Sequence, residues 1–166
     1  MRALPADPGP RLIVACDGAA RGNPGPAGIG VHITTQDGRT VAEIARGIGI
    51  ATNNVAEYTA AIAGLTHAAE LGASHVLLRS DSRLLIEQLA GRFRVKNPAL
   101  QRLHAQVRAL TKSFRSIEYL HVPREQNKEA DRLANVGVDS WLAGEGASWR
   151  PGSPNPRLWA EPEGEG

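Results

Sequence analysis

Four acidic residues are poorly explained, as a set, by local structure. Asp17 closes the otherwise apolar run RLIVACD and is followed by Gly18. Asp81 follows a second such run, HVLLRS, while Glu57 and Asp131 fall in the first turns of two helical patterns. Each has a local alternative: an Asp-Gly turn at Asp17, an N-cap at Asp81, a capping box Asn54-x-x-Glu57, and a favourable helix dipole at Asp131. Taken together they suggest chemistry. Carboxylates are rarely buried unless paired or bound to metal. Two of them about 4 Å apart repel by about 4 kcal/mol at an effective dielectric of 20, so a cluster of four requires cations. Hard oxygen donors with no neighbouring Cys or paired His select Mg²⁺ or Mn²⁺. Two such ions ~3.5–4 Å apart can drive in-line displacement at phosphorus.

The acids can meet only if the elements carrying them converge. Arg11–Asp17 reads as a strand buried inside a sheet. The loop GAARGNPGPAG follows, then a strand carrying Ile29, Val31 and Ile33, a turn at Gln36-Asp37-Gly38, and a third strand over Val41–Ile50. Residues 53–71 change period: Val55, Tyr58, Ile62, Leu65 and Ala69 form one helical stripe that Gly72 closes. His75–Arg79 is a fourth strand, Ser82–Ala90 a short helix, and Pro98 opens a helix to about Phe114. Ile117–Val122 is a fifth strand, and a last helix runs from Asn127 to about Leu142. This βββαβααβα order predicts an α/β fold whose mixed sheet is antiparallel at one side and parallel at the other, with helices packed on it. Asp17 and Asp81 then lie at the carboxyl ends of neighbouring strands, the edge where open α/β sheets bind ligands. The glycine loop lacks Gly-Lys-Ser/Thr and runs into a strand, so it is neither a Walker loop nor a Rossmann fingerprint. It reads as a hairpin loop, or as backbone brought close to a sugar–phosphate chain.

Composition narrows the class. The chain has 166 residues and a single cysteine, Cys16, which excludes a disulfide framework and a multi-Cys metal site. No apolar run approaches the ~20 residues of a membrane helix, and MRALPADPGP lacks the apolar core of a signal peptide. The expectation is a soluble, cytoplasmic protein without a membrane partner. Its organisation reads as a flexible segment 1–10, one domain over 11–143, and a Gly/Pro-rich, mostly flexible tail over 144–166, complicated by Trp141, Trp149 and Trp159. The net charge is only +2, yet residues 88–117 hold seven bases and no acid. Such a stretch is either a solvated helix face or a track for a polyanion, and the absence of acids favours the track.

The segments ACDGAARGNPGPAGIG, TNNVAEY, RSDS and VPREQNKEADRLAN resemble the four signature segments of type 1 ribonuclease H, in order and spacing, over about residues 11–140. The resemblance implies a five-stranded sheet in 3-2-1-4-5 order and a monomer. It implies hydrolysis of the RNA strand of RNA–DNA hybrids at a site holding two Mg²⁺ or Mn²⁺ ions, leaving 5′-phosphate and 3′-hydroxyl ends. Asp17, Glu57, Asp81 and Asp131 fall on the family's metal-ligating acids, with Glu57 also close to the ribose 2′-hydroxyl and Gly18 on the substrate side of the first strand. Asn53 and Asn54 match positions that read bases and sugars in the minor groove, and Asn23 and Thr52 a pocket for a DNA-strand phosphate. The loop before the last acid, Pro123-Arg124-Glu125-Gln126-Asn127, lacks the His of many bacterial members and resembles the archaeal-type subgroup. An Arg is no general base at neutral pH but can hold a phosphate bidentately, the role this resemblance assigns to Arg124. A tryptophan-bearing basic protrusion is absent, because Gly91–Pro98 is too short for an extra helix.

Overall fold

The computed structural model describes residues 9–144. Ten elements follow in the order β1 (Arg11–Ala20), β2 (Gly25–Thr35), β3 (Thr40–Ala51), α1 (Asn53–Glu70), β4 (His75–Ser80), α2 (Arg83–Leu89), α3 (Pro98–Thr111), β5 (Ser116–His121), a 3₁₀ turn (Arg124–Gln126) and α4 (Lys128–Leu142). The strands form one sheet in the order β3-β2-β1-β4-β5. Pairing is antiparallel between β1 and β2 and between β2 and β3, and parallel between β1 and β4 and between β4 and β5. The expected mixed sheet and its order are therefore present. The expected segments 1–10 and 144–166 fall almost wholly on residues 1–8 and 145–166, outside the described residues, as do Trp149 and Trp159. Trp141 lies in α4 and is half-buried.

The two sheet faces are built differently. On β2, Ala27, Ile29, Val31 and Ile33 alternate with Gly28 and Gly30, and successive side chains of a strand point to opposite faces. The apolar set joins Val14, Leu78, Val55, Tyr58 and Leu65 in the main core under α1, where each large aliphatic side chain contributes about 1.5–3 kcal/mol of burial. The glycine set seats α4. A Cβ on Gly30 would stand 2.0 Å from the Ala130 carbonyl oxygen, and one on Gly28 2.5 Å from that of Ala134. Only hydrogen at those positions lets the helix lie this close.

This packing corrects the reading of the glycine-rich segment. β1 continues past Asp17 to Ala20, and β2 begins at Gly25, so GAARGNPGPAG is mostly paired strand with a turn only at 21–24. Strand periodicity fails there because the positions facing helices carry no side chain. Smaller differences are confined to ends: α3 stops at Thr111, and the 3₁₀ turn precedes α4.

Candidate active site

The parallel ladder of β1 with β4 ends at the pair Ala15–Arg79, while β1 runs on beside β2 alone. Asp17 and Asp81 each lie two residues beyond that last pair, on the two sides of the notch that opens where the sheet changes from antiparallel to parallel. Asp17 is opposite Gly30, so its side chain shares the face on which α4 rests. Gly30 adjoins Ala130, and Asp131 follows it. On α1, a Cβ at Gly18 would stand 2.4 Å from the Glu57 nitrogen, so the start of that helix lies directly over β1. Glu57 Oε2 accepts a hydrogen bond from the Gly18 N–H at 3.2 Å.

For three of the four acids the local alternative fails. Thr52 is the N-cap of α1, its hydroxyl oxygen accepting from the Val55 N–H at 3.2 Å, so Glu57 is no capping-box partner. Ser82 caps α2 by accepting from the Leu85 N–H at 3.2 Å, which leaves Asp81 outside the cap. Asp17 is no turn residue but part of β1, and it is 5% exposed. Asp131 does sit in the first turn of α4, together with Glu129.

One carboxylate oxygen from each of Asp17, Glu57 and Asp81 lies within 4.8 Å of the other two. Asp131 lines the same cleft as this trio. Burial pushes the Asp17 carboxyl up to about 8, helped by the charges of Asp81 and Asp131. Glu57 is raised well above its ordinary value, first by burial, then by the charges of Asp17 and Asp81, with the Gly18 N–H opposing. The Cys16 thiol behind them is raised chiefly by burial and is fully enclosed. These carboxyls cannot all ionise near neutrality without a compensating positive charge. An all-oxygen donor set of that size and charge fits one or more hard divalent cations.

The acids line a cleft of about 570 Å³ whose other walls include Gly18, Asn53, Asn54, Ser82, Arg124 and Asn135. Asn23 and Thr52 do not line it. Asn23 meets the start of α1, its Oδ1 accepting from the Asn53 N–H at 3.1 Å, while Asn53 Oδ1 accepts from the Ala20 N–H at 3.1 Å; Thr52 caps that helix. Arg21 and Asn135 also border the cleft without having been singled out from sequence. Arg21 pairs with Asp139 at 2.7 Å, and Asn135 Nδ2 donates to the Asp131 carbonyl at 3.0 Å. The available signals were an arginine inside the glycine segment and an amide one turn after the last acid. A separate apolar groove of about 200 Å³ between β3 and α1 contains none of these groups.

A five-stranded 3-2-1-4-5 sheet with acids gathered at the β1/β4 notch and a helix on each side is the ribonuclease H-like architecture. Comparison with known proteins makes this specific. The family described as reverse transcriptase-like matches residues 15–137. The bifunctional protein Rv2228c of Mycobacterium tuberculosis is 50% identical over 131 residues, which are 78% of this chain and 36% of that protein. Ribonuclease HI of Halobacterium salinarum is 45% identical over 133 residues, 80% of this chain and 67% of that protein. Among solved structures, LC11-RNase H1 in complex with an RNA/DNA hybrid is 40% identical with a TM-score of 0.76, covering 79% of this chain and 99% of that one. The chain belongs to the type 1 ribonuclease H family. It spans little more than a third of the length of the mycobacterial relatives it matches.

Proposed function

We propose that this domain is a metal-dependent endoribonuclease that hydrolyses the RNA strand of RNA–DNA hybrids, leaving 5′-phosphate and 3′-hydroxyl ends. The observation that carries the reading is the approach of Asp17, Glu57 and Asp81, from three separate elements, to within 4.8 Å of one another. Similarity to a ribonuclease solved with an RNA/DNA hybrid supports the substrate class.

Asp17, Glu57, Asp81 and Asp131 would hold two Mg²⁺ or Mn²⁺ ions. Bound there, such ions supply Lewis-acid chemistry: a more acidic attacking water and stabilisation of charge on the leaving 3′-oxygen. The chain's own residues do the rest. Asp17 on β1 and Asp81, the first residue after β4, set the spacing of the donors. Glu57, held by the Gly18 N–H, keeps one oxygen beside the position of the attacked ribose, where it reads the 2′-hydroxyl that distinguishes RNA from DNA. Asn53 and Asn54 face the minor groove from the start of α1, and Asn23 and Thr52 receive a DNA-strand phosphate. Arg124, exposed at the cleft rim, holds a phosphate of the hybrid through its guanidinium fork.

The test is cleavage of end-labelled RNA–DNA hybrid, RNA duplex and DNA duplex, with Mg²⁺, with Mn²⁺ and with chelator. Internal cuts confined to the RNA strand of the hybrid, present only with metal, are expected. Tight hybrid binding without cleavage under every condition would make the domain a binding module. Equal cutting of the DNA duplex would make it a nuclease indifferent to the sugar.

A further inference from the structure

The turn that carries Arg124 is fastened to both central strands, and each fastening uses a side chain that does little else. An Arg79 guanidinium nitrogen (Nη2) donates to the Gln126 carbonyl oxygen at 2.7 Å. Asn127 Nδ2 donates to the Cys16 carbonyl oxygen at 3.0 Å. Within the turn, the Gln126 N–H reaches the Pro123 carbonyl at 2.9 Å and the Asn127 N–H the Arg124 carbonyl at 3.0 Å. The Asp131 N–H then bonds the Asn127 carbonyl at 3.1 Å.

Arg79 is an unusual choice for mere stability. It is the last β4 residue paired with β1, with Ala15 on that side and Leu120 of β5 on the other, and its Nε is buried without a hydrogen-bond partner. A buried donor left without a partner is destabilising, and an apolar side chain beside Ala15 and Leu120 would avoid that cost. Asn127 is similar: it is 2% exposed, its Oδ1 is unpartnered, and its side chain does not cap α4. What the two residues achieve is geometric. Arg79 lies two residues before Asp81, and Asn127 bonds the residue immediately before Asp17. The turn is therefore referenced to the same two strand ends as the acids.

We propose that Arg79 is a positioning residue for catalysis, holding the 123–127 turn so that the Arg124 guanidinium sits at the rim of the acidic cleft, with Asn127 as the second anchor. The proposal rests on the nuclease reading above. Arg79 does not line the acidic cleft; it acts through Arg124.

The experiment compares R79M, which keeps the stem but loses the donor, with R79K, R124A and R79M/R124A in hybrid cleavage, alongside amide hydrogen exchange in the intact protein. R79M is expected to lower kcat by about 10-fold, the scale of groups that orient a reactive residue, with KM for hybrid nearly unchanged. R79K, which can still donate to the Gln126 carbonyl, restores most of the loss. R79M/R124A turns over no more slowly than R124A, because both changes remove one contribution. Exchange at the amides of residues 124–127 rises in R79M and returns toward normal in R79K, while exchange in α1 stays unchanged. Multiplying losses in the double variant, an unaffected R124A, or unaltered exchange at the turn would each overturn the proposal. Lack of cleavage by the unsubstituted protein would instead overturn the nuclease reading, and the exchange measurement is independent of it.

Discussion

Asp17 concentrates the electrostatic tension of the cleft, and its protonation makes a direct test of the metal-site reading. Its carboxyl is raised from 3.8 to about 8 by burial and by Asp81 and Asp131, so the proton favours the folded state. That contribution is complete below about pH 4 and is lost as pH rises through about 8. Without divalent metal, the melting temperature should therefore fall between those limits. In D17N the fall should flatten, and metal-free stability near pH 8 should equal or exceed that of the unsubstituted protein. Cleavage by D17N should drop by more than about 100-fold, beyond the usual loss from a group that merely supports a metal ligand. A metal-free D17N that melts far lower at pH 8 would make Asp17 structural. Added Mg²⁺ should raise the melting temperature more at pH 8 than at pH 5, because ionised carboxylates bind it better. The four acids were legible in the sequence because their local alternatives, individually adequate, required four coincidences. Thr52 and Ser82 could not be recognised as the true caps without the backbone that places them.

At the scale of elements, the helices bring Glu57 and Asp131 to the strands, and the glycines of β1 and β2 let them approach. G30A places a methyl 2.0 Å from the Ala130 carbonyl oxygen. Overpacking of this kind costs about 1–3 kcal/mol, measurable as a lower denaturant midpoint. Because Asp131 follows Ala130, cleavage should fall as well, even where the variant remains folded. G38A is the comparison: it sits in the β2–β3 turn with nothing near its Cβ but a φ of +90°, so it should cost stability through backbone strain yet leave cleavage by the folded fraction intact. The same glycines explain the limit of the sequence reading. Alternation locates Ile29, Val31 and Ile33 correctly, but Gly18, Gly25 and Gly28 carry no side-chain signal, so paired strand reads as loop. The order of the sheet came from family resemblance; strand periodicity alone supported only a mixed sheet with parallel and antiparallel sides.

Across the whole molecule, charge is the remaining legible feature. The seven bases of residues 88–117 are not equally available: Arg92 is held by both oxygens of Glu87 at 2.7 and 2.9 Å, whereas Arg94 and Lys96 are exposed in the segment between α2 and α3. If this segment follows the hybrid backbone, R94A/K96A should weaken hybrid binding measured in Ca²⁺ and reduce the salt slope by about 2. R92A should change it less. An unchanged slope would leave the stretch a solvated face. The placement of the acids on β1, on α1, just past β4 and on α4 has a last consequence. If these acids act as proposed, no fragment of the chain would contain a partial catalyst, since each acid depends on a different long-range docking event. Turnover should accordingly vanish together with global unfolding along a denaturant series, making a cleavage assay a gauge of the native population itself.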